Sequence, residues 1–141
     1  MTKGVAGIRF ASRGARAPDR SFRITGLWSR LFNRSPSAQA EWIDIETLRP
    51  RLGQIVLIDV RGVGEFSAPP GHLPGAINIP LPELSGRIDE ISAHARPVVL
   101  VCKTDRRSAK AAEMLLTAGL REVAILRGGT DGWHARGLPL D

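Results

Sequence analysis

The single cysteine of the chain, Cys102, closes the apolar run Val98-Val99-Leu100-Val101 and is followed by Lys103, Thr104, Asp105, Arg106, Arg107 and Ser108. A thiol reacts as its thiolate, and nearby cations and a helix N-terminus favour that form. Lys103, Arg106 and Arg107 supply the cations, and a run of good helix formers follows them. The predicted helix starts near Arg107 or Ser108 and turns its free N–H groups back on the loop 102–107. That arrangement suits a sulfur anion or an anionic substrate. A lone cysteine is otherwise most often a small, inert core residue; the three cations within five residues weigh against that here. Asp105 opposes them, because a carboxylate beside a thiolate disfavours it. Helix capping is its expected role.

The surrounding pattern positions this loop. "QIVLIDV" (54–60), "AINIP" (76–80), "PVVLV" (97–101) and "EVAIL" (122–126) are short apolar runs, as expected of strands buried on both faces. Pro80 stops the second, and Gly128-Gly129 follows the fourth. Helical spacing appears between them. In 82–94, Leu84, Ile88 and Ile91 recur at intervals of four and three; in 108–120, Ala112, Leu115 and Leu116 form a stripe with Gly119 as its C-cap. A short helix is expected after Asp44, capped by its carboxylate and limited by Pro50. Strands alternating with helices predict an α/β fold, a central parallel sheet with helices on both faces. In such a sheet ligands gather at the carboxyl ends of the strands, where Cys102 falls.

Composition narrows the function classes. A chain of 141 residues suffices for one core without disulfide staples, and one cysteine excludes both an internal disulfide and a multi-cysteine zinc site. A free thiol suits a reducing compartment such as the cytoplasm. No apolar run approaches the roughly 20 residues of a membrane span. The net charge of +6 is unevenly placed. Residues 1–40 hold eight of the twenty Lys and Arg against one acid, Asp19, and so carry +7; residues 41–141 carry twelve bases and thirteen acids, or −1. The basic pI therefore belongs to the leader and is no argument for nucleic-acid binding by the remainder.

The division expected is a basic leader over 1–40 and a folded domain over 41–141, with the composition changing near Ser35-Pro36-Ser37. The leader lacks the apolar stretch of a secretory signal. It reads as a disordered extension; the alternative is a mitochondrial transit peptide, which would place the protein in the matrix.

Four blocks together resemble the rhodanese-like sulfurtransferases. "CKTDRRS" (102–108) is similar to that family's active-site loop, in which Arg-Ser follows the cysteine after four residues. "IDVRGVGEF" (58–66), "GHLPGAINIP" (71–80) and "LRGGTDGWHARGLPL" (126–140) resemble its other signatures, in the family's order. Many members have glycine where Asp105 stands, a position at which aspartate tolerates positive φ better than most residues. The resemblance implies a rhodanese-like fold and a sulfurtransferase that works through a Cys102 persulfide, with no metal or organic cofactor. A thiosulfate-like small donor and a thiol or protein acceptor are its implied partners. Lys103 and Arg106 would attract the donor, Thr104 would add a hydroxyl, and Asp105, Arg107 and Ser108 complete the substrate loop. Arg107 would either brace that loop or meet substrate. Asp59 and Arg61 would support the loop from the neighbouring strand, Glu65 would pair with Arg61, and His72 would fix a turn rather than act as a base. Trp133 and His134 would pack the last helix.

Two alternatives remain from the sequence: a non-catalytic docking module, and a slow persulfide carrier for a partner protein. The related phosphatases and arsenate reductases place five residues between Cys and Arg, whereas four stand here, a tighter loop that fits phosphate poorly. The motifs specify neither the physiological donor and acceptor nor the oligomeric state.

Overall fold

Alternate residues of three adjacent strands divide the core into two layers. A computed structural model of the chain describes residues 39–141; the expectations for the leader lie outside these residues, except at its last two positions. Strands β1 (Glu41–Ile43), β2 (Val56–Asp59), β3 (Ile77–Asn78), β4 (Val98–Val101) and β5 (Val123–Leu126) form one sheet in the order β1-β5-β4-β2-β3, every pair parallel. The three central strands are buried along their whole length. Their β-branched and aliphatic residues suit a strand packed on both sides.

On one face Val56, Ile58, Val98, Leu100, Val123 and Ile125 pack with Leu84, Ile91, Ala111, Ala112 and Leu115. Those last five come from the segment after β3 and from α4 (Arg106–Thr117). Leu57, Val99, Ala124 and Leu126 point the other way, as the two-residue period requires, and are equally buried. Ile45 and Leu48 of α1 (Ile45–Leu48), Leu73 and Trp133 of α5 (Gly129–Ala135) complete that second layer. Each buried Val, Leu or Ile side chain among them contributes about 1.5–3 kcal/mol by leaving water.

The expected strands and the stripe of α4 are all present, and Gly119 ends α4 at φ +104°. Five features differ from expectation. The edge strand β1 and the short helix α2 (Val63–Ser67) carry too few residues to show a period. The single helix expected over 82–94 is a 3₁₀ turn, Leu81–Arg87, followed by α3 (Ile88–Ser92). Pro82 starts the turn, and Arg87, at φ −123°, interrupts the helical backbone; Leu84 and Ile91 are still buried together. Asp44 occupies the N-cap of α1 but makes no side-chain cap bond, because its carboxylate accepts from Arg127 Nε at 3.2 Å. His134 is exposed, so only Trp133 packs, with its indole N–H donating to Pro139 O at 2.9 Å.

Candidate functional site

Cys102 follows β4 directly and is 1% exposed. Its Sγ lies 3.4 Å from both the backbone amide and the hydroxyl of Ser108, in the first turn of α4. The Ser108 hydroxyl also reaches Asp105 O at 3.2 Å. The helix begins at Arg106, one residue earlier than expected, and Asp105 is its N-cap by position. The carboxylate of Asp105 makes no cap hydrogen bond, which corrects the role expected for it. The helix start is therefore left to the sulfur.

The loop's carbonyls face away from that opening. Thr130 N donates to Cys102 O at 2.9 Å, and Asp131 N to Lys103 O at 3.0 Å, so the first amides of α5 hold the loop from below. Gly129, at φ +60°, lies against the same atoms. A Cβ there would stand 2.2 Å from Thr104 O, 2.3 Å from Cys102 O and 2.6 Å from Lys103 O. Because a trans peptide sets its N–H opposite its C=O, the amides of Lys103, Thr104 and Asp105 turn away from α5. Among the described residues, the amides of 103–107 have no internal acceptor. The loop thus has an acceptor face seated on α5 and a donor face turned away from it. In the sequence the Gly128-Gly129 pair stood only as the end of a strand and as part of the block 126–140.

Asp59 and Arg61 occupy the neighbouring strand end, where Asp59 is in register with Val101. Both side chains are buried and share a two-pronged ion pair: Arg61 Nε donates to Oδ1 at 3.0 Å, and a terminal nitrogen to Oδ2 at 2.8 Å. Arg61 also donates to Gly71 O, and the Asn78 amide group bridges Asp59 O and Arg61 O. Arg61 is thereby committed, and Glu65 pairs instead with Arg107, at 2.7 and 3.0 Å. This replaces the expected Arg61–Glu65 pair and directs Arg107 to bracing the loop against α2. The Arg107 guanidinium, helped by the Gly62 amide, holds the Glu65 carboxyl down to about 2. His72 lies apart from the sulfur: its ring stacks on Phe66 at 3.7 Å, its Nδ1 is 3.1 Å from Phe66 O, and its backbone pairs with Asp141. These contacts lie within the turn that holds His72.

A cavity of about 440 Å³ opens over the thiol, lined by Leu81, Cys102, Lys103, Thr104, Arg106, Arg107 and Lys110. Leu81 and Lys110 were not anticipated. Lys110 lies one helical turn beyond Arg106, a spacing the sequence contained. Among the described residues no cluster suited to a metal ion is present. No helix among them is long and apolar enough to cross a membrane.

Residues 44–136 match the Rhodanese-like domain family, and the chain belongs to it. A sulfurtransferase of Allochromatium vinosum is 35% identical over 101 residues, which are 70% of this chain and 92% of that protein. The HTH-type transcriptional regulator Rv0324 of Mycobacterium tuberculosis is 40% identical over 99 residues. That match takes in 68% of this chain but only 42% of the regulator. The human single-domain sulfurtransferase TSTD1 superposes with a TM-score of 0.59 at 25% identity, covering 67% of this chain and 96% of that one.

Proposed function

We infer that this protein moves sulfane sulfur from thiosulfate or a similar donor to a thiol or to cyanide through a persulfide on Cys102. The observation that carries this reading is the Cys102 sulfur set 3.4 Å from the Ser108 amide, beneath a cavity whose charged lining is entirely cationic. The similarity to two proteins named sulfurtransferase supports it.

In the first half-reaction the Cys102 thiolate attacks the outer sulfur of thiosulfate. A new S–S bond forms, the donor's own S–S bond breaks, and sulfite leaves with that electron pair. In the second, the acceptor attacks the outer sulfur of the persulfide and the Cys102 thiolate departs, giving thiocyanate from cyanide or a hydropersulfide from a thiol. This is covalent catalysis in two steps. The amides of the loop and of the first turn of α4 stabilise the sulfur anion and the donor's oxygens as fixed donors. Arg106 and Lys103 draw anionic donors in, and Thr104 adds a hydroxyl at the rim.

Intact mass tests this reading. After thiosulfate the chain should gain one sulfur atom, and cyanide should remove it as thiocyanate. Absence of any gain, with thiosulfate or a hydropersulfide, would replace the assignment by a docking module. Gain without multiple cyanide turnovers would indicate a carrier.

A further inference from the structure

The four cations around the cavity are not equivalent. Arg107 is neutralised by Glu65, and Lys103 pairs with Asp131 at 3.1 Å. Arg106 and Lys110 have no carboxylate partner among the described residues, and no carboxylate lines the cavity. Asp105 is adjacent in sequence but forms no ion pair with either. Arg106 and Lys110 are i and i+4 on α4, so they share one helix face, about 6 Å apart along the axis. The Ser108 amide lies against the sulfur and serves an anion at the reacting atom. Lys110 lines the same cavity, one helical turn beyond Arg106.

We propose that Arg106 and Lys110 form an anion subsite one helical turn beyond the sulfur cradle, and that it selects acceptor thiols carrying a carboxylate several bonds from their sulfur. The choice of acceptor rests on the sulfur-transfer reading; the subsite itself does not. During transfer the carboxylate bridges the two cations while the acceptor's thiolate attacks the outer persulfide sulfur. Leu81 supplies an apolar wall for the carbon chain between them.

Cys102 is the only thiol, so its reaction with two aromatic disulfides reads the subsite without any sulfur donor. Dithiobis(nitrobenzoate) carries a ring carboxylate a few bonds from its sulfur, and dithiodipyridine carries none. Each is attacked by the Cys102 thiolate, forming a mixed disulfide and expelling one aromatic thiol product that is read by its absorbance. The ratio of the two rates should fall about fivefold in Lys110→Gln, the size expected for one partly screened charge pair. It should be largely restored in Lys110→Arg. A ratio within about twofold of the parent, or an equal fall in Arg121→Gln, which removes an exposed charge before β5 outside the cavity lining, would overturn the subsite. Mercaptopropionate against mercaptoethanol as acceptors of persulfide sulfur should show the same change. If the reagent ratio falls but thiosulfate loads no sulfur, the subsite stands and the transfer reading fails. Normal loading with an unchanged ratio has the opposite meaning.

Discussion

Ser108 meets the sulfur of Cys102 twice, with its backbone amide and its hydroxyl each 3.4 Å from Sγ. The amide contact belongs to the backbone, whereas the hydroxyl contact depends on the side chain. The two can therefore be separated by substitution.

In Ser108→Ala the helix and its amide remain, and one hydrogen bond to the sulfur is lost. Such a bond to a charged group is worth about 1.5–3 kcal/mol, so persulfide formation should slow by at least about tenfold. Stopped-flow loading with thiosulfate measures this. An unchanged rate would mean that the amide alone sets the reactivity of the sulfur.

Cys102→Ser should fold with an unchanged denaturation midpoint and take up no sulfur, because the smaller hydroxyl replaces the thiol in a buried position. Mass spectrometry after donor treatment checks the second half of that statement. Sulfur found on the variant contradicts the assignment outright, since the chain has no other thiol.

Gly129→Ala should be the most disruptive small substitution near the site. Three carbonyls lie 2.2–2.6 Å from the added carbon, and φ at that residue is +60°. Backbone of this kind is not a flexible neighbour that swings aside, so the loop must lift from α5. Stability should drop by about 1–3 kcal/mol, and sulfur loading should fall further than the stability change explains. Gly128→Ala, where an added carbon meets only Gly132 Cα at 3.6 Å, should disturb loading far less, although φ +85° strains it as well.

Arg61→Met should cost about 3–5 kcal/mol, because it leaves the fully buried Asp59 carboxylate without its cation. Asp59→Asn together with Arg61→Met should recover part of that loss. Chemical denaturation of both variants is the check, and a single variant as stable as the parent would contradict the geometry of the pair.

The clamp between Arg107 and Glu65 carries a pH signature. Glu65 is lowered from 4.5 to about 2 in the folded chain. Its contribution to stability is therefore fully present above pH 4.5 and is lost as pH falls through about 2. Both partners are roughly 40% exposed, so water and salt reduce the effect. Comparing Glu65→Gln with the parent between these pH values should show a shallower acid slope in the variant. Equal slopes would mean the pair contributes nothing measurable.

The strands and the cysteine loop between β4 and α4 were legible because their signals are local. An apolar run of four or five residues, a cysteine at its end and a cluster of cations need no knowledge of distant partners. The pairing of Glu65 with Arg107 was not legible, since Arg61 is nearer in sequence and only the folded sheet shows that Asp59 already holds it. The same applies to Asp44, which the helix start offered as a cap and Arg127 drew away. The three residues of β1 are a strand because Ala124, Ile125 and Leu126 are beside them, not because of any period of their own. Gly129 was visible as a residue, but its task depends on three carbonyls from another strand end.

The order of synthesis gives that last contact a further meaning. A growing chain makes its thiol and the helix after it well before residues 128–131, which seat the loop. Until β5 has entered the sheet beside β4, the carbonyls of Cys102 and Lys103 lack the α5 amides that receive them in the folded chain. The seat of the loop is thus available only once residues 128–131 have been made. An incomplete chain ending before Gly129 would expose a cysteine but lack the means to orient it.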